Sequence, residues 1–247
     1  MYHFFVEPCQ IGEKEIRIEG SDVNHIRNVL RMGIGEQITV SSGEDKKEFR
    51  CEIAGIEESC IRAKIMWIEE KDAELPSKIY LFQGLPKGDK MEWIIQKAVE
   101  LGVCEIIPMA TKRAVVKLDP KKAAAKVKRW NAISESAAKQ SKRLVIPQVH
   151  EVMSFREAVS YASGFDKKLI PYELAEGMDQ TRNTFSQITP GDSVAVFIGP
   201  EGGFDEEEIT LAQENGILPI TLGRRILRTE TAGMAVLSVL MFQLEQK

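Results

Sequence analysis

Two glycine-containing segments near the C-terminus decide the fold: Phe197-Ile198-Gly199-Pro200-Glu201-Gly202-Gly203-Phe204 and Leu222-Gly223-Arg224-Arg225-Ile226-Leu227-Arg228-Thr229-Glu230-Thr231-Ala232. In each, an apolar run typical of a buried strand leads into a tight turn and then into the start of a helix. Two such turns lie close together in the chain. They therefore predict a single ligand pocket built from backbone groups rather than from a metal or a catalytic dyad.

Strands and helices alternate from Lys78 onward, which predicts a parallel sheet with helices on both faces. The predicted strands are 78–83, 105–108, 168–172, 193–198 and 217–222. The predicted helices are 89–101, 120–141, 205–215 and one that begins at Thr229.

Residues 1–68 follow another pattern, with short runs rich in Val, Ile, Phe and Thr at 3–7, 14–18, 36–42, 48–56 and 60–68, and one helix at 21–31. They predict a small β-barrel-like domain. The charged segment 69–77 contains few apolar residues and includes Pro76, so we expect it to be the linker to a second domain at 78–247.

Composition excludes several classes of protein. The chain has 247 residues, 43% of them apolar and 28% charged, which is ordinary for a globular protein. Nothing resembles a signal peptide, and the longest apolar stretch, 232–244, is too short to span a bilayer. Four scattered cysteines and three histidines show no zinc-site spacing, so we expect reduced thiols, no metal and a cytoplasmic location.

The charge is unevenly distributed. The net charge is −4, yet residues 111–143 contain eleven lysines or arginines and only two acids. A concentrated basic face on an acidic protein can track phosphates, although a solvated lysine-rich helix is the alternative explanation. On the helix at 21–31, Arg27 and Arg31 lie opposite the apolar stripe, where RNA contact and ordinary solvation are equally compatible with the pattern.

Several familiar motifs are missing. The segment 84–90 connects a strand to a helix but does not match the phosphate-binding G-x-x-x-x-G-K-[ST] pattern. There is no G-x-G-x-x-G after a strand, no G-x-S-x-G and no H-E-x-x-H. These absences argue against nucleotide hydrolases, dinucleotide enzymes, serine hydrolases and zinc peptidases.

The two turns favour a neutral or cationic ligand. Asp205 is expected to cap a helix whose first turn contains three glutamates, and these carboxylates would repel a phosphate. In the second turn, Ile226 and Leu227 can sandwich a purine ring, while Arg228 or Arg224 faces an RNA phosphate or a developing oxyanion. Thr229 is the expected cap of the last helix. A plain β–α turn is the alternative for the first segment.

Together these segments resemble the SPOUT methyltransferases, and among them the RsmE type, which methylates N3 of a uridine in small-subunit ribosomal RNA. The matching segments are 25–31, 84–97, 197–203 and 222–232, so the resemblance covers nearly the whole chain. It implies an α/β fold, with a parallel sheet and a C-terminal trefoil knot, preceded by a PUA-like RNA-binding barrel. It also implies a homodimer with the last helix, which is apolar nearly all round, in the interface.

The resemblance further implies S-adenosylmethionine as cofactor, ribosomal RNA of the small subunit as partner, and a set of site residues. The implied cofactor ligands are Tyr172, Ile198, Gly199, Pro200, Glu201, Gly202, Leu222, Gly223, Ile226, Leu227, Arg228, Thr231 and Ala232. The expected RNA contacts are Arg27, Arg31, Lys112, Arg113, Lys121 and Lys122.

For the chemistry, Arg228 is the expected stabiliser of charge on the uracil oxygens, and Glu201 and Glu230 are the available carboxylates for the proton. Two alternatives remain: ribose 2′-O-methylation, or a non-catalytic RNA-binding assembly factor.

Overall fold

The computed structural model describes residues 1–70, 73–175 and 177–245, which divide into two compact units. The first contains Met1–Glu74 and Ala138–Ile146, and the second contains Leu75–Ala137 and Pro147–Lys247. The predicted domain borders at 68 and 78 stay a prediction. Within the predicted linker, Glu69 and Glu70 continue a strand, and positions 71 and 72 lie outside the described residues.

The first unit is a curled five-stranded sheet in the order β1-β3-β4-β5-β2. Its strands are β1 Tyr2–Phe5, β2 Glu15–Glu19, β3 Gln37–Ser41, β4 Lys47–Ile56 and β5 Cys60–Glu70. All five lie where the sequence predicts strands. β1 and β3 are parallel and the other pairs are antiparallel, and two register shifts in the β4–β5 ladder mark bulges, which bend a strand.

The predicted helix of this unit is shorter and differently wound than expected. A four-residue helix α1, Ser21–Asn24, continues as a π-helical turn, His25–Val29. The wider turn leaves Val29 exposed. The chain then turns away through Arg31, whose φ of 53° is left-handed.

The second unit is built on a seven-stranded sheet in the order β12-β10-β11-β6-β7-β8, with β9 also paired to β7. Every pair is parallel, as predicted. The strands are β6 Lys78–Gly84, β7 Glu105–Ala110, β8 Gln148–Val149, β9 Met153–Ser154, β10 Lys167–Pro171, β11 Ser193–Ile198 and β12 Leu218–Ile220. The sequence analysis missed β8 and β9, which are two residues long.

Five helices belong mainly to this unit, together with the long basic helix α3, whose last residues from Ala138 belong to the first unit. They are α2 Lys90–Glu100, α3 Pro120–Ser141, α4 Phe155–Tyr161, α5 Met178–Ser186, α6 Glu206–Glu214 and α7 Thr229–Leu244. The sequence analysis predicted all but α4 and α5. Gly102 follows α2 in the left-handed conformation that is common just after the end of a helix.

Helices cover both faces of the sheet, because successive side chains of a buried strand point to opposite sides. On β6, Tyr80 and Phe82 join the core formed with α4 and α6. Leu81, between them, lies on the face where Gly233 of α7 packs. The trefoil knot stays a prediction; the chain runs from edge strand β12 to α7, which packs on α2 and β11.

No helix within the described ranges is both long and apolar enough to cross a membrane.

Candidate functional site

The carboxyl ends of β10, β11 and β12 are neighbours in the sheet, and the loops that follow them surround a cavity of about 1040 Å³. Ligands of open α/β sheets bind at this edge. All of the expected cofactor residues line the cavity except Thr231, which is exposed in the first turn of α7. The fold therefore brings together, as a cavity wall, two segments that the sequence singled out and a third loop after β10.

The loop after β11 is tightly fixed. The amide of Gly203 donates to the carbonyl of Pro200 at 2.9 Å, and Gly203 itself is left-handed, with φ 67°. A Cβ atom at Gly199 would lie 3.1 Å from the backbone of Gly203 and 3.3 Å from the ring of Phe204. Any side chain at position 199 would therefore push this turn apart.

The acidic side chains at the start of α6 form capping hydrogen bonds and ion pairs. The Asp205 side chain accepts from the amide of Glu207 at 3.2 Å, which confirms the expected cap. The side chain of Glu208 accepts from the amides of Asp205 and Lys112 at 2.9 and 2.8 Å. The Lys112 ammonium pairs with Glu207 and Asp205, and these contacts, led by the hydrogen bond to Glu207, raise its pKa.

The loop after β12 is open by comparison. It leaves the strand through Gly223, whose φ is 101°, and Ile226 is 85% exposed although it lines the cavity. Arg228 lines the cavity too, and its carbonyl accepts the amides of Thr231 and Ala232, both at 2.8 Å. Arg228 is therefore the helix cap. The prediction that Thr229 has this role is wrong, because the extended backbone of Arg228 makes Thr229 the first helical residue.

Thr229 instead connects the two loops through a buried residue that the sequence analysis missed. Its hydroxyl donates to the carbonyl of Gly199 at 2.6 Å and accepts from the side-chain amide of Gln83 at 2.9 Å. Gln83 is fully buried at the end of β6 and also donates to the carbonyl of Gly84. A glutamine within an otherwise apolar strand was the only sequence signal for this Gln83–Thr229–Gly199 clamp.

A lysine joins the two carboxylates expected to handle the proton. The Lys90 ammonium lies 3.0 Å from Oε1 of Glu201 and 3.4 Å from Oε2 of Glu230, and the backbone amide of Lys87 donates to Glu201 at 3.1 Å. Lys90 and Glu201 line the cavity, whereas Glu230 reaches it only through Lys90. The sequence analysis missed Lys90 because its segment failed the phosphate-loop pattern.

These contacts act on both partners of the ion pair. The hydrogen bond to Glu201 is the main cause that raises the pKa of Lys90. For Glu201, burial alone would raise the pKa, but hydrogen bonds from Lys90 and from backbone amides outweigh it and hold the pKa below its usual range. Both groups are therefore charged at neutral pH.

The expected RNA contacts occupy three separate places. Arg27 donates to the carbonyls of Glu57 and Glu58 at 3.2 and 3.1 Å, and Arg31 is exposed after the π-helical turn. Arg113 donates to the carbonyl of Gly202 at 3.4 Å, beside the cavity. Lys121 and Lys122 are exposed in the first turn of α3.

Much of the basic segment is neutralised locally. Within residues 111–143, the following basic side chains form ion pairs with carboxylates: Lys112, Arg113, Lys122, Arg129, Lys139 and Arg143. The Arg143 pair with Glu74 and the Lys139 pair with Asp22 lie within the first unit. The unbalanced positive charge is therefore concentrated in the first half of α3 and the loop before it.

The described residues contain no group of three or more His, Cys, Asp or Glu able to hold a metal ion. All four cysteines are free, and burial raises the pKa of the Cys51 thiol to about 12.

Comparison with known proteins shows which family this chain resembles. A family model described as an RNA methyltransferase domain matches residues 73–241, and one described as an RNA methyltransferase PUA domain matches residues 18–66. Ribosomal RNA small subunit methyltransferase E of Bacillus subtilis is 40% identical over 252 residues, covering 99% of this chain and 98% of that protein. The protein of that name from Mesomycoplasma hyopneumoniae is 34% identical, with 96% and 98% covered.

The same similarity holds for solved structures. The crystal structure of ribosomal RNA small subunit methyltransferase E from Neisseria gonorrhoeae, bound to S-adenosylmethionine, superposes with a TM-score of 0.86 at 32% identity, covering 98% of each chain. A methyltransferase from Legionella pneumophila with bound S-adenosylmethionine gives a TM-score of 0.85 at 36% identity, covering 98% of this chain and 96% of that one.

Proposed function

The chain belongs to the RNA methyltransferase family, and from this premise we propose that it transfers a methyl group from S-adenosylmethionine to N3 of a uridine in the 16S ribosomal RNA of the small subunit. The observation that carries the proposal is the cavity at the ends of β10, β11 and β12. The relatives named for small-subunit RNA methylation align over nearly the whole chain, and one of them binds this cofactor.

The cavity suits the cofactor in shape and charge. At positions 199 and 202 a Cβ atom would meet neighbouring protein atoms at 3.1 Å, so glycine allows the close packing that shapes this wall of the cavity. The carboxylate of Glu201 on its wall is compatible with a sulfonium cation and unfavourable for a phosphate. At about 1040 Å³ the cavity slightly exceeds the usual range for one small ligand, roughly 300–1,000 Å³, which leaves room for a base beside the cofactor.

We assign the cofactor contacts to the expected residues that line the cavity. The loop after β11, from Gly199 to Gly202, offers backbone groups, and Leu222, Ile226 and Leu227 offer apolar walls for the adenine. Thr231, outside the lining, would act through its backbone position in the first turn of α7.

The chemistry assigned to the chain is charge stabilisation and proton removal. When bound, S-adenosylmethionine supplies an electrophilic methyl group. Loss of the N3 proton places negative charge on O2 and O4 of the uracil, and the permanently charged guanidinium of Arg228 at the cavity stabilises it. Lys90 holds Glu201 and Glu230 in place. Glu201 lines the cavity and is the carboxylate nearer to a bound uracil, and Glu230, joined to it through Lys90, is the other available proton acceptor.

We further propose that the protein is a cytoplasmic homodimer. The side chains of Val236, Leu237 and Leu240 are buried on one face of α7. On the same helix, Val239 and Phe242 are 49% and 85% exposed. An exposed apolar helix face of this kind suits a second copy. Free cysteines and a ribosomal RNA substrate are in keeping with the cytoplasm.

Two measurements test the function. Isothermal titration with S-adenosylmethionine should give saturable binding near one site per subunit. Incubation with 16S ribosomal RNA from cells lacking the enzyme, followed by nucleoside analysis, should yield N3-methyluridine. A ribose ether instead would establish 2′-O-methylation, and a folded protein that binds no cofactor at millimolar concentration would be an RNA-binding assembly factor.

A further inference from the structure

A second cavity, of about 200 Å³, lies between the β6–α2 connection and α3. Its floor contains the buried side chains of Leu85, Met91 and Trp130, and Val116 and Leu118 form an apolar side wall. Pro86, Gly88, Asp89 and Lys126 complete the lining. The proposed cofactor chemistry uses none of these residues.

This second cavity is joined to the main one by a shared segment of chain, residues 84–91. Lys90 lines the main cavity, while Asp89 and Met91 on either side of it line the second. The amide of Lys87 is bonded to Glu201, and a Cβ at Gly84 would lie 2.7 Å from Pro200, so this segment packs directly against the cofactor loop. An RNA with one nucleotide in the main cavity can therefore reach the second cavity with a neighbouring nucleotide.

The rim carries the charge that a nucleic acid requires. The Lys126 ammonium lies 6.0 Å from the centroid of the Trp130 ring, at the mouth of the apolar slot. Lys117 and Lys121 are exposed on the same stretch of α3 and the loop before it. Among the described residues that line the cavity, Asp89 is the acidic one.

We propose that this cavity is a nucleotide subsite, which holds the base of an RNA residue near the methylated one and places its phosphate at Lys126. The inference rests on the proposed function. The size suits one base, because an apolar cavity of roughly 150 Å³ holds benzene. The apolar floor packs against the base, the Asp89 carboxylate accepts from a base N–H group, and the lysines attract the backbone.

The decisive variant fills the second cavity with a larger side chain. Val116→Phe, at a half-buried lining position, should raise KM for 16S ribosomal RNA about tenfold while leaving the affinity for S-adenosylmethionine unchanged. Val115→Phe is the matched control, because Val115 is the adjacent residue, is 67% exposed and does not line the cavity. It should retain the KM of the unmodified protein. Wild-type methylation is measured in parallel, so that failure of the proposed function shows itself as loss of that activity.

A second variant covers the case in which Val116→Phe does not fold. Lys126→Ala should reduce the slope of log binding constant against log salt by about 0.7, the value for one phosphate contact on single-stranded nucleic acid. Lys128→Ala, two residues along the helix and outside the lining, is its control. An unchanged KM and salt slope would overturn the subsite, and so would a loss of cofactor affinity or a change of oligomeric state in Val116→Phe with no change in RNA binding.

Discussion

The two loops that build the main cavity differ in how firmly the chain holds them. The loop after β11 packs against its own turn, with Pro200 and Phe204 buried and no room for a side chain at Gly199. The loop after β12 exposes Arg224, Arg225 and Ile226. The first loop is therefore organised before a ligand arrives, whereas the second acquires part of its contacts from the ligand or a partner.

The clamp of Gln83, Thr229 and Gly199 connects the organised loop after β11 to the open loop after β12. It fixes the carbonyl of Gly199 and the start of α7 to each other, and with them the position of Arg228. Binding at a pre-organised site avoids the cost of ordering it. Substitutions in the loop after β11 should therefore weaken cofactor binding strongly, and substitutions in the loop after β12 should weaken it moderately.

The largest effect is expected at Gly199. Valine there would collide with Gly203 and Phe204, and overpacking of about 1–3 kcal/mol concentrated in the loop should weaken cofactor binding about a hundredfold. Titration calorimetry measures this. The control is Gly164→Val, because Gly164 has no heavy atom within 4 Å of an added Cβ and has an ordinary φ. Micromolar cofactor affinity in Gly199→Val would remove this loop from the site.

Arg228→Ala should lower kcat next most strongly. Removing one donor that stabilises a developing oxyanion costs about 10²–10³ in kcat, with little change in cofactor affinity. Arg228→Lys retains the charge without the planar fork, so it should recover part of the rate. Single-turnover methylation of 16S ribosomal RNA measures both. If Arg228→Ala changes only the KM for RNA, the guanidinium contacts the RNA backbone instead of the uracil.

Thr229→Val tests the clamp that connects the two loops. It keeps the shape of the side chain but leaves one N–H of the buried Gln83 amide and the carbonyl of Gly199 without their partner, at a cost of about 1–3 kcal/mol. We expect roughly tenfold weaker cofactor binding together with a lower Tm. Thr229→Ser retains the hydroxyl and should keep wild-type affinity. Wild-type affinity in Thr229→Val would show that the hydroxyl is not needed to connect the two loops.

The sequence predicted the strands and the parallel sheet well because their signals are local. Apolar β-branched runs such as 193–198 and turns containing glycine carry enough information on their own. The elements missed between 148 and 186 are short: β8 and β9 have two residues each, and the seven-residue helix α4 leaves too few turns for a periodic pattern.

The residues that line the site could be predicted from the sequence, but the hydrogen bonds and ion pairs between them could not. Glycine-rich turns can be read from the sequence, and nearly all of the expected cofactor residues line one cavity. Gln83 and Thr229 are 146 residues apart, and Lys90 and Glu201 are 111 apart, so only the fold brings these partners together. The ion pairs of the basic segment could not be predicted for the same reason, because the carboxylates that pair with Lys112, Arg129 and Arg143 lie far away in the chain.

The smallest effect is expected at Ile226, and it distinguishes the two loops most finely. At 85% exposure the side chain contributes little to folding, so Ile226→Ala should leave Tm unchanged. If the cofactor covers this side chain, the loss of three carbon groups, each worth about 0.8 kcal/mol when fully buried, should weaken binding about fivefold after partial burial. The control is Leu174→Ala, an apolar residue 69% exposed in the loop after β10 that does not line the cavity. If both variants bind the cofactor equally well, the open loop orders around RNA or the second subunit rather than around the cofactor.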